Sequence, residues 1–392
     1  MNWRSVIILG IASFSALAAA AEIPEARIEA LNAAIASGDE RSIRASALSL
    51  ADAAIADPSD PQAALLALQS AWTLCKIGSC GDGVKAARFA AAQPEAPGLP
   101  PAAVRALVAE YASWAKTPGK ASRDVLDNAL AAAAGDVPSA VTAAIYQSVY
   151  SSDFSLGEFA RAERIASLAR SHFALGGAPM ERLAYEAHLM EVASGFNAKP
   201  ARKHQEAMLH FVGDLRVRGE ASGEPDPPEW IEKLYYSGQA WEMTMGAYFQ
   251  AENRGESKHP KADQIAAEYD AKIPPSPATE TRSAPRCKGR LLQRPPLRYP
   301  LADANDGRFG SVIVRFAVRG GKVVNPEVLA AVPSDRFGAG VVETVSKWGY
   351  ELTEKSENNG CLADFDNVVL PVTFELIPIG NTVKSEGTRL KR

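Results

Sequence analysis

The chain has 392 residues, 47% of them hydrophobic and 22% charged, and a formal net charge of −4. That is ordinary globular material, long enough for two or three domains. The small net charge, with no basic run carrying interleaved aromatics, gives no footing for nucleic-acid binding, and five histidines restrict metal sites and histidine-based catalysis.

Residues 1–21 read as an export signal. Arg4 supplies the positive start, Val6 to Leu17 the apolar core, and Ala18 to Ala21 the small residues of a cleavage site before Glu22. Val6 to Ala21 is shorter than the ~20 apolar residues that span a bilayer and is diluted by Ser13 and Ser15, so cleavage is expected over an uncleaved inner-membrane anchor. The mature chain is then expected in the periplasm.

Residues 22–272 carry a helical pattern. Alanine is abundant and apolar residues recur at three and four: Ile28, Leu31 and Ile35; Leu65, Leu68 and Trp72; Val104, Leu107, Val108 and Tyr111; Phe159, Ala162, Ile165 and Leu168. Proline and glycine breaks, among them Pro58-Pro61, Pro94-Pro101, Gly135-Pro138 and Pro225-Pro228, keep the helices short. Short helices with short connections predict antiparallel pairs stacked into an array. The run Ser155 to Ala162 is similar to the first helix of a tetratricopeptide repeat, but no clean period of about 34 residues is present. A degenerate helical-repeat-like array and an irregular all-α domain both fit. Trp230, Tyr235, Tyr236, Trp241, Tyr248 and Phe249 form a dense aromatic cluster. Positions 230, 234, 241, 245 and 248 share a face, so a core or inter-helix contact is expected there, with a ligand groove as the alternative.

Residues 273–286 have the proline-rich composition of a linker, and 381–392 form a polar tail ending in Arg389, Lys391 and Arg392. Between them, 287–380 predict a small αβ domain. Val312, Val314, Phe316 and Val318 alternate with Ser311, Arg315 and Arg319, the period-two signature of a half-buried strand. Gly320-Gly321 can supply positive φ at both turn positions of a tight hairpin, and Lys322 to Leu329 returns. A helix follows Pro333, with Ser334 or Asp335 as its cap; Phe337, Val341, Val345 and Trp348 lie on one face of it. Asn367 to Leu376 is the last strand. The expected fold class is therefore α+β multidomain: an all-α array, then a ββαβ domain with one helix packed on one side of an antiparallel sheet.

The residues that fill this pattern resemble the C-terminal domain of TonB-family proteins. The resemblance rests on Arg298-Tyr299-Pro300-Leu301, Gly310 to Val318, Gly321 to Leu329, Lys347-Trp348-Gly349-Tyr350 and Leu370-Pro371-Val372-Thr373-Phe374, in that order over roughly 80 to 90 residues. Gly349 stands where the family carries a charged or polar residue, and Thr353 to Gly360 replaces the usual proline and glycine. The resemblance implies binding by strand addition, an extended peptide of an envelope or outer-membrane protein pairing with the last long strand. The implied contact residues are Val368, Val369, Leu370, Val372, Thr373 and Phe374, interrupted by Pro371. Family members that transduce energy use a membrane helix carrying a histidine; Met1 to Ala21 has none. A non-catalytic periplasmic adaptor is thus the leading expectation, with energy transduction and a structural scaffold as the alternatives.

Four cysteines suit an oxidising compartment. Cys287 precedes the small domain and Cys361 its last strand, so this pair is expected to bridge. Cys75 and Cys80 are close enough to pair at a helix end. Zinc would need four ligands, and no histidine pair lies at ligand spacing. His204 and His210 are six apart, and no HExxH, GxSxG, P-loop or GxGxxG occurs. The many Asp and Glu residues read as solvated helix faces. No enzymatic activity, cofactor or small-molecule substrate is expected.

Overall fold

The computed structural model describes residues 25–93, 99–117, 122–221, 228–252, 255–273, 286–293, 295–300, 303, 307–338, 340–353, 361–374, 376–379 and 382–385. The export signal read over 1–21 and all but the ends of the 273–286 linker lie outside these residues. No described helix is long and apolar enough to cross a membrane. The chain forms an array of packed helices followed by a small antiparallel sheet with an associated helix, and it divides into two compact units at Ser194 and Gly195.

The first unit runs through α1 (Glu25–Ser37), α2 (Glu40–Ala56), α3 (Ala63–Lys76), α4 (Cys80–Ala91), α5 (Pro101–Lys116), α6 (Arg123–Gly135), α7 (Ala140–Ser155), α8 (Phe159–Ala174) and most of α9 (Glu181–Ala198). Each helix from α1 to α7 packs on the next, and α2 on α4 and α5 on α7 as well, which is the pattern of stacked helix pairs. Caps explain several starts. Asp39 accepts from the Ser42 backbone N–H at 3.0 Å, and Ser139 with Thr142 forms a reciprocal capping box. Pro101 opens α5, where its missing N–H costs nothing. The buried residues are dominated by alanine, including Ala47, Ala51, Ala67, Ala71, Ala86 and Ala87, so the helices approach closely. Gly83 is needed at one such crossing, since a Cβ there would sit 2.9 Å from the Ala71 carbonyl oxygen. Of the expected apolar stripes, Leu31, Leu68, Val104, Leu107, Tyr111, Ala162 and Ile165 are buried, whereas Ile28, Ile35, Leu65, Trp72, Val108 and Phe159 are half-buried. Leu168 is 50% exposed, and Ala166 and Ala169 turn inward beside Ile165 instead.

The second unit begins with the end of α9 and holds α10 (Arg202–Ala221), α11 (Glu229–Ala251) and α12 (Ala262–Asp270). It continues with β1 (Gly289–Leu292), β2 (Gly310–Arg319), β3 (Lys322–Val332), a short helix α13 (Val341–Val345), β4 (Gly349–Leu352) and β5 (Phe365–Phe374). The five strands form one antiparallel sheet in the order β1-β4-β3-β2-β5. The β2–β3 hairpin turns at Gly320 (φ 55°) and Gly321 (φ 72°), the positive pair the sequence offered. A second hairpin pairs β6 (Leu376–Ile379) with β7 (Thr382–Ser385), so part of the stretch read as tail is a strand.

Three details depart from the sequence reading. The two four-residue strands β1 and β4 were not foreseen; Gly349 begins β4, so Trp348 and Tyr350 do not close a helix. The covering helix is broken into a 3-10 turn (Asp335–Phe337) and α13, parted near Gly340 in the left-handed region (φ 80°). Ser334 holds the cap position of the 3-10 turn, but its hydroxyl makes no cap hydrogen bond. Phe337, Val341, Val345 and Trp348 nonetheless share one core with Val312, Val314, Phe316 and Val318. Finally, β2 is buried on both faces, not one. Ser311, Ile313 and Ala317 are covered because α11 packs against β2, β3 and β5. The helices α10 to α12, grouped with the array on sequence grounds, belong to the compact unit that contains the sheet. The aromatic cluster of α11 is thereby a core element: Trp241 and Phe249 are buried, and Tyr248 meets Phe196 and Phe309 edge-on.

Candidate functional edge of the sheet

β5 ends the five-stranded sheet. It pairs with β2 from Gly310↔Phe374 to Val318↔Phe365, and among the described residues no strand lies on its outer side. Register assigns its side chains to faces. Val368, Leu370, Val372 and Phe374 stand opposite Phe316, Val314, Val312 and Gly310, on the face packed by Trp348. Val369, Pro371 and Thr373 stand opposite Arg315, Ile313 and Ser311, on the face packed by α11. Val372, Thr373 and Phe374 are buried and can offer a partner only backbone, whereas Val368, Leu370 and Pro371 are half-buried and Val369 is 38% exposed.

The start of β5 is already occupied. Arg319 donates to the Phe365 carbonyl at 3.0 Å, and Arg286 to the Asp366 and Asn367 carbonyls at 2.9 and 3.2 Å. Arg319 also pairs with Asp366, and the Gly320 N–H donates to Asp364 at 2.8 Å. Asn367 takes φ 55° beside an irregularity in the pairing, so regular unclaimed edge begins at Val368. Proline is tolerated on an edge strand where its nitrogen faces away from the neighbour. By that rule Val369 and Thr373, two residues either side of Pro371, direct their N–H groups outward too.

A disulfide anchors this region. Cys287 and Cys361 are bonded across 74 residues, and the Cys287 N–H donates to the Leu362 carbonyl at 2.9 Å. Cys75 and Cys80 form the second bridge, joining the end of α3 to the start of α4.

Elsewhere, His172 is buried and meets the Thr142 hydroxyl at 3.1 Å; burial lowers its pKa, as it does those of His204 and His259. Among the described residues no group of three or more His, Cys, Asp or Glu side chains could hold a metal ion. Not every carboxylate lies on a solvated face. Asp153 is buried and bonded to Arg161 at 2.7 Å, Asp303 is buried near Arg308 and Arg336, and Glu110 is 0% exposed. Among the described residues neither Glu110 oxygen has a well-formed hydrogen bond; burial pushes its pKa up to about 8, against weaker lowering by the nearby Ser148 hydroxyl and by Lys76. The signal for Glu110 was present in its position three residues after Leu107, on the apolar stripe. No protein-family model matches this chain, and no curated protein or solved structure does either.

Proposed function

We propose that this chain is a periplasmic, non-catalytic adaptor that receives an extended segment of an envelope protein along β5. The observation that carries this is that, among the described residues, no strand covers the outer side of β5 from Val368 to Phe374, with half-exposed apolar side chains on both faces at its start. Strand addition uses such an edge: backbone hydrogen bonds supply affinity and alternating side chains supply selectivity. The edge has no charged residue from Asn367 to Phe374, so only Pro371 stands against unwanted pairing. The two disulfides support an oxidising compartment, and the TonB-like residue pattern supports the mode of binding. The helical array and the sheet are then the scaffold that presents the edge.

The test is proline scanning of the full chain. Val369→Pro removes an outward N–H that β2 does not use, so the fold should persist while retention of envelope proteins from an extract falls about ten-fold. Val369→Ala should retain them nearly as well as the parent chain. Full retention by a folded Val369→Pro variant would remove β5 as the binding edge.

A further inference from the structure

In the first unit, α3, α5, α7 and α9 wall a cavity of about 40 Å³, lined chiefly by Leu65, Leu68 and Trp72 of α3, Leu107 and Tyr111 of α5, and Leu183 of α9. That is room for about three water molecules, or for the short tail of a small molecule. One helical turn beyond these wall residues stands a set of polar groups. Lys76 follows Trp72 by four, Glu110 follows Leu107 by three, Trp114 follows Tyr111 by three, and Ser151 follows the wall residue Gln147 by four. Helical spacing keeps each on the face of its predecessor.

Several of these groups have no hydrogen-bond partner among the described residues. Tyr111 is buried and lines the cavity, yet its hydroxyl is unbonded there, as are Trp114 Nε1, Ser151 Oγ and both Glu110 oxygens, the last with the Ser148 hydroxyl nearby. Native interiors leave few polar atoms unbonded, and a group of them beside a cavity asks for an occupant. Their chemistry sets its sign. With its pKa raised to about 8, Glu110 keeps its proton at neutral pH. Glu110, Tyr111, Trp114 and Ser151 can then all donate. Lys76 adds an ammonium 5.2 Å from the centroid of the Trp72 ring. Solvent reaches Lys76, but the surrounding protein still lowers its pKa, against the pull of Glu110 and Glu186. Glu186 is itself engaged, by Gln147 Nε2 and Arg182 Nε, each at 2.8 Å.

We propose that the first unit binds a short aliphatic monocarboxylate, its tail among Leu65, Leu68, Leu107 and Leu183 and its carboxylate toward Lys76 and Trp114. This is a ligand class apart from any peptide on the sheet edge, and it stands independently of that reading.

Calorimetric titration of the full chain with butyrate, butylamine and butan-1-ol tests it. Butyrate should bind saturably, and the amine and alcohol about ten-fold or more weakly, since each lacks the charged acceptor. Lys76 is exposed, so Lys76→Met should keep the fold, verified by an unchanged circular dichroism spectrum, and weaken butyrate about ten-fold while leaving butan-1-ol unchanged. Butylamine binding as tightly as butyrate would overturn the proposal, as would butyrate binding that Lys76→Met does not alter. Absence of saturable butyrate binding in the parent chain would do the same.

Discussion

Trp114 and Trp348 each carry an indole N–H out of water, and the two compact units treat it differently. In the sheet unit Trp348, 1% exposed, donates to the Pro295 carbonyl at 2.7 Å. On the opposite face of the sheet the hydroxyls of Thr244 and Ser311 are bonded at 3.0 Å, and Arg315 joins Glu327 at 2.9 Å and Glu232 at 3.1 Å. In the helical unit, among the described residues, Trp114 Nε1 has no hydrogen-bond partner, and neither do the Glu110 oxygens or the Tyr111 hydroxyl beside it. The sheet unit has unbonded atoms of its own on His204, Ser334 and Asp303, though those of Asp303 face Arg308 and Arg336 at 3.7 Å each. The contrast follows from what each architecture must specify. A one-residue slip of β2 would exchange its two faces, so bonded polar groups on one face secure the register. Stacked helices joined by short connections need no such marker, and unbonded groups there are a cost of about 1 to 3 kcal/mol each that packing must offset.

The largest expected effect comes from the side of the comparison that is unsatisfied. Glu110 has an ordinary value of 4.5 and a folded value of about 8. Between those limits the folded chain holds a proton that the unfolded chain has released. Stability is therefore full below the unfolded value, falls as pH rises through the interval, and levels off above the folded pKa. At ~1.4 kcal/mol per unit the loss is of order 4 to 5 kcal/mol. Urea unfolding of the chain across that interval should show the slope, and Glu110→Gln should reduce it by that amount. A slope that the substitution leaves unchanged would show that Glu110 does not titrate in this interval.

The two indoles supply the next test. Trp348→Ala empties a site at the centre of the sheet core and should cost about 3 to 5 kcal/mol. Trp114 is only half-buried and its nitrogen is unbonded, so Trp114→Phe should cost under about 1 kcal/mol. Amide exchange of β2 measures the first and unfolding of the helical unit the second. Equal losses would erase the distinction between the units.

How much of this was legible depended on range and length. The hairpin of β2 and β3 could be read because alternation and Gly320-Gly321 are local signals. The last strand and the helical array were legible for the same reason. β1 and β4 were not, since four residues carry too little periodicity, and the close approach of Gly289 that pairs Tyr350 into β4 has no local signal. A Cβ at Gly289 would lie 2.6 Å from the Glu351 carbonyl oxygen. The second cover of the sheet was the main omission. Ser311 and Arg315 looked like a solvent face because their partners, Thr244 and Glu232, lie 67 and 83 residues away in sequence. At the edge, alternation alone could not show that Arg286 and Arg319 take the carbonyls of Phe365, Asp366 and Asn367.

The hydroxyl pair of Thr244 and Ser311 is the sharpest test of how polar groups hold α11 on the sheet. Thr244 also bonds the Ala240 carbonyl at 2.9 Å, while Ser311 has only the Thr373 hydroxyl, at 3.5 Å, as a further partner. Thr244→Val therefore leaves the buried Ser311 hydroxyl with one long contact and should cost about 1 to 2 kcal/mol. Ser311→Ala removes the stranded group, so the double variant Thr244→Val/Ser311→Ala should be no less stable than Thr244→Val alone. The coupling, read from β2 amide exchange in a double-mutant cycle, should be about 1 kcal/mol. Strict additivity would show that the hydroxyl pair does not bridge helix and strand, and that apolar contact alone holds α11 on this face of the sheet.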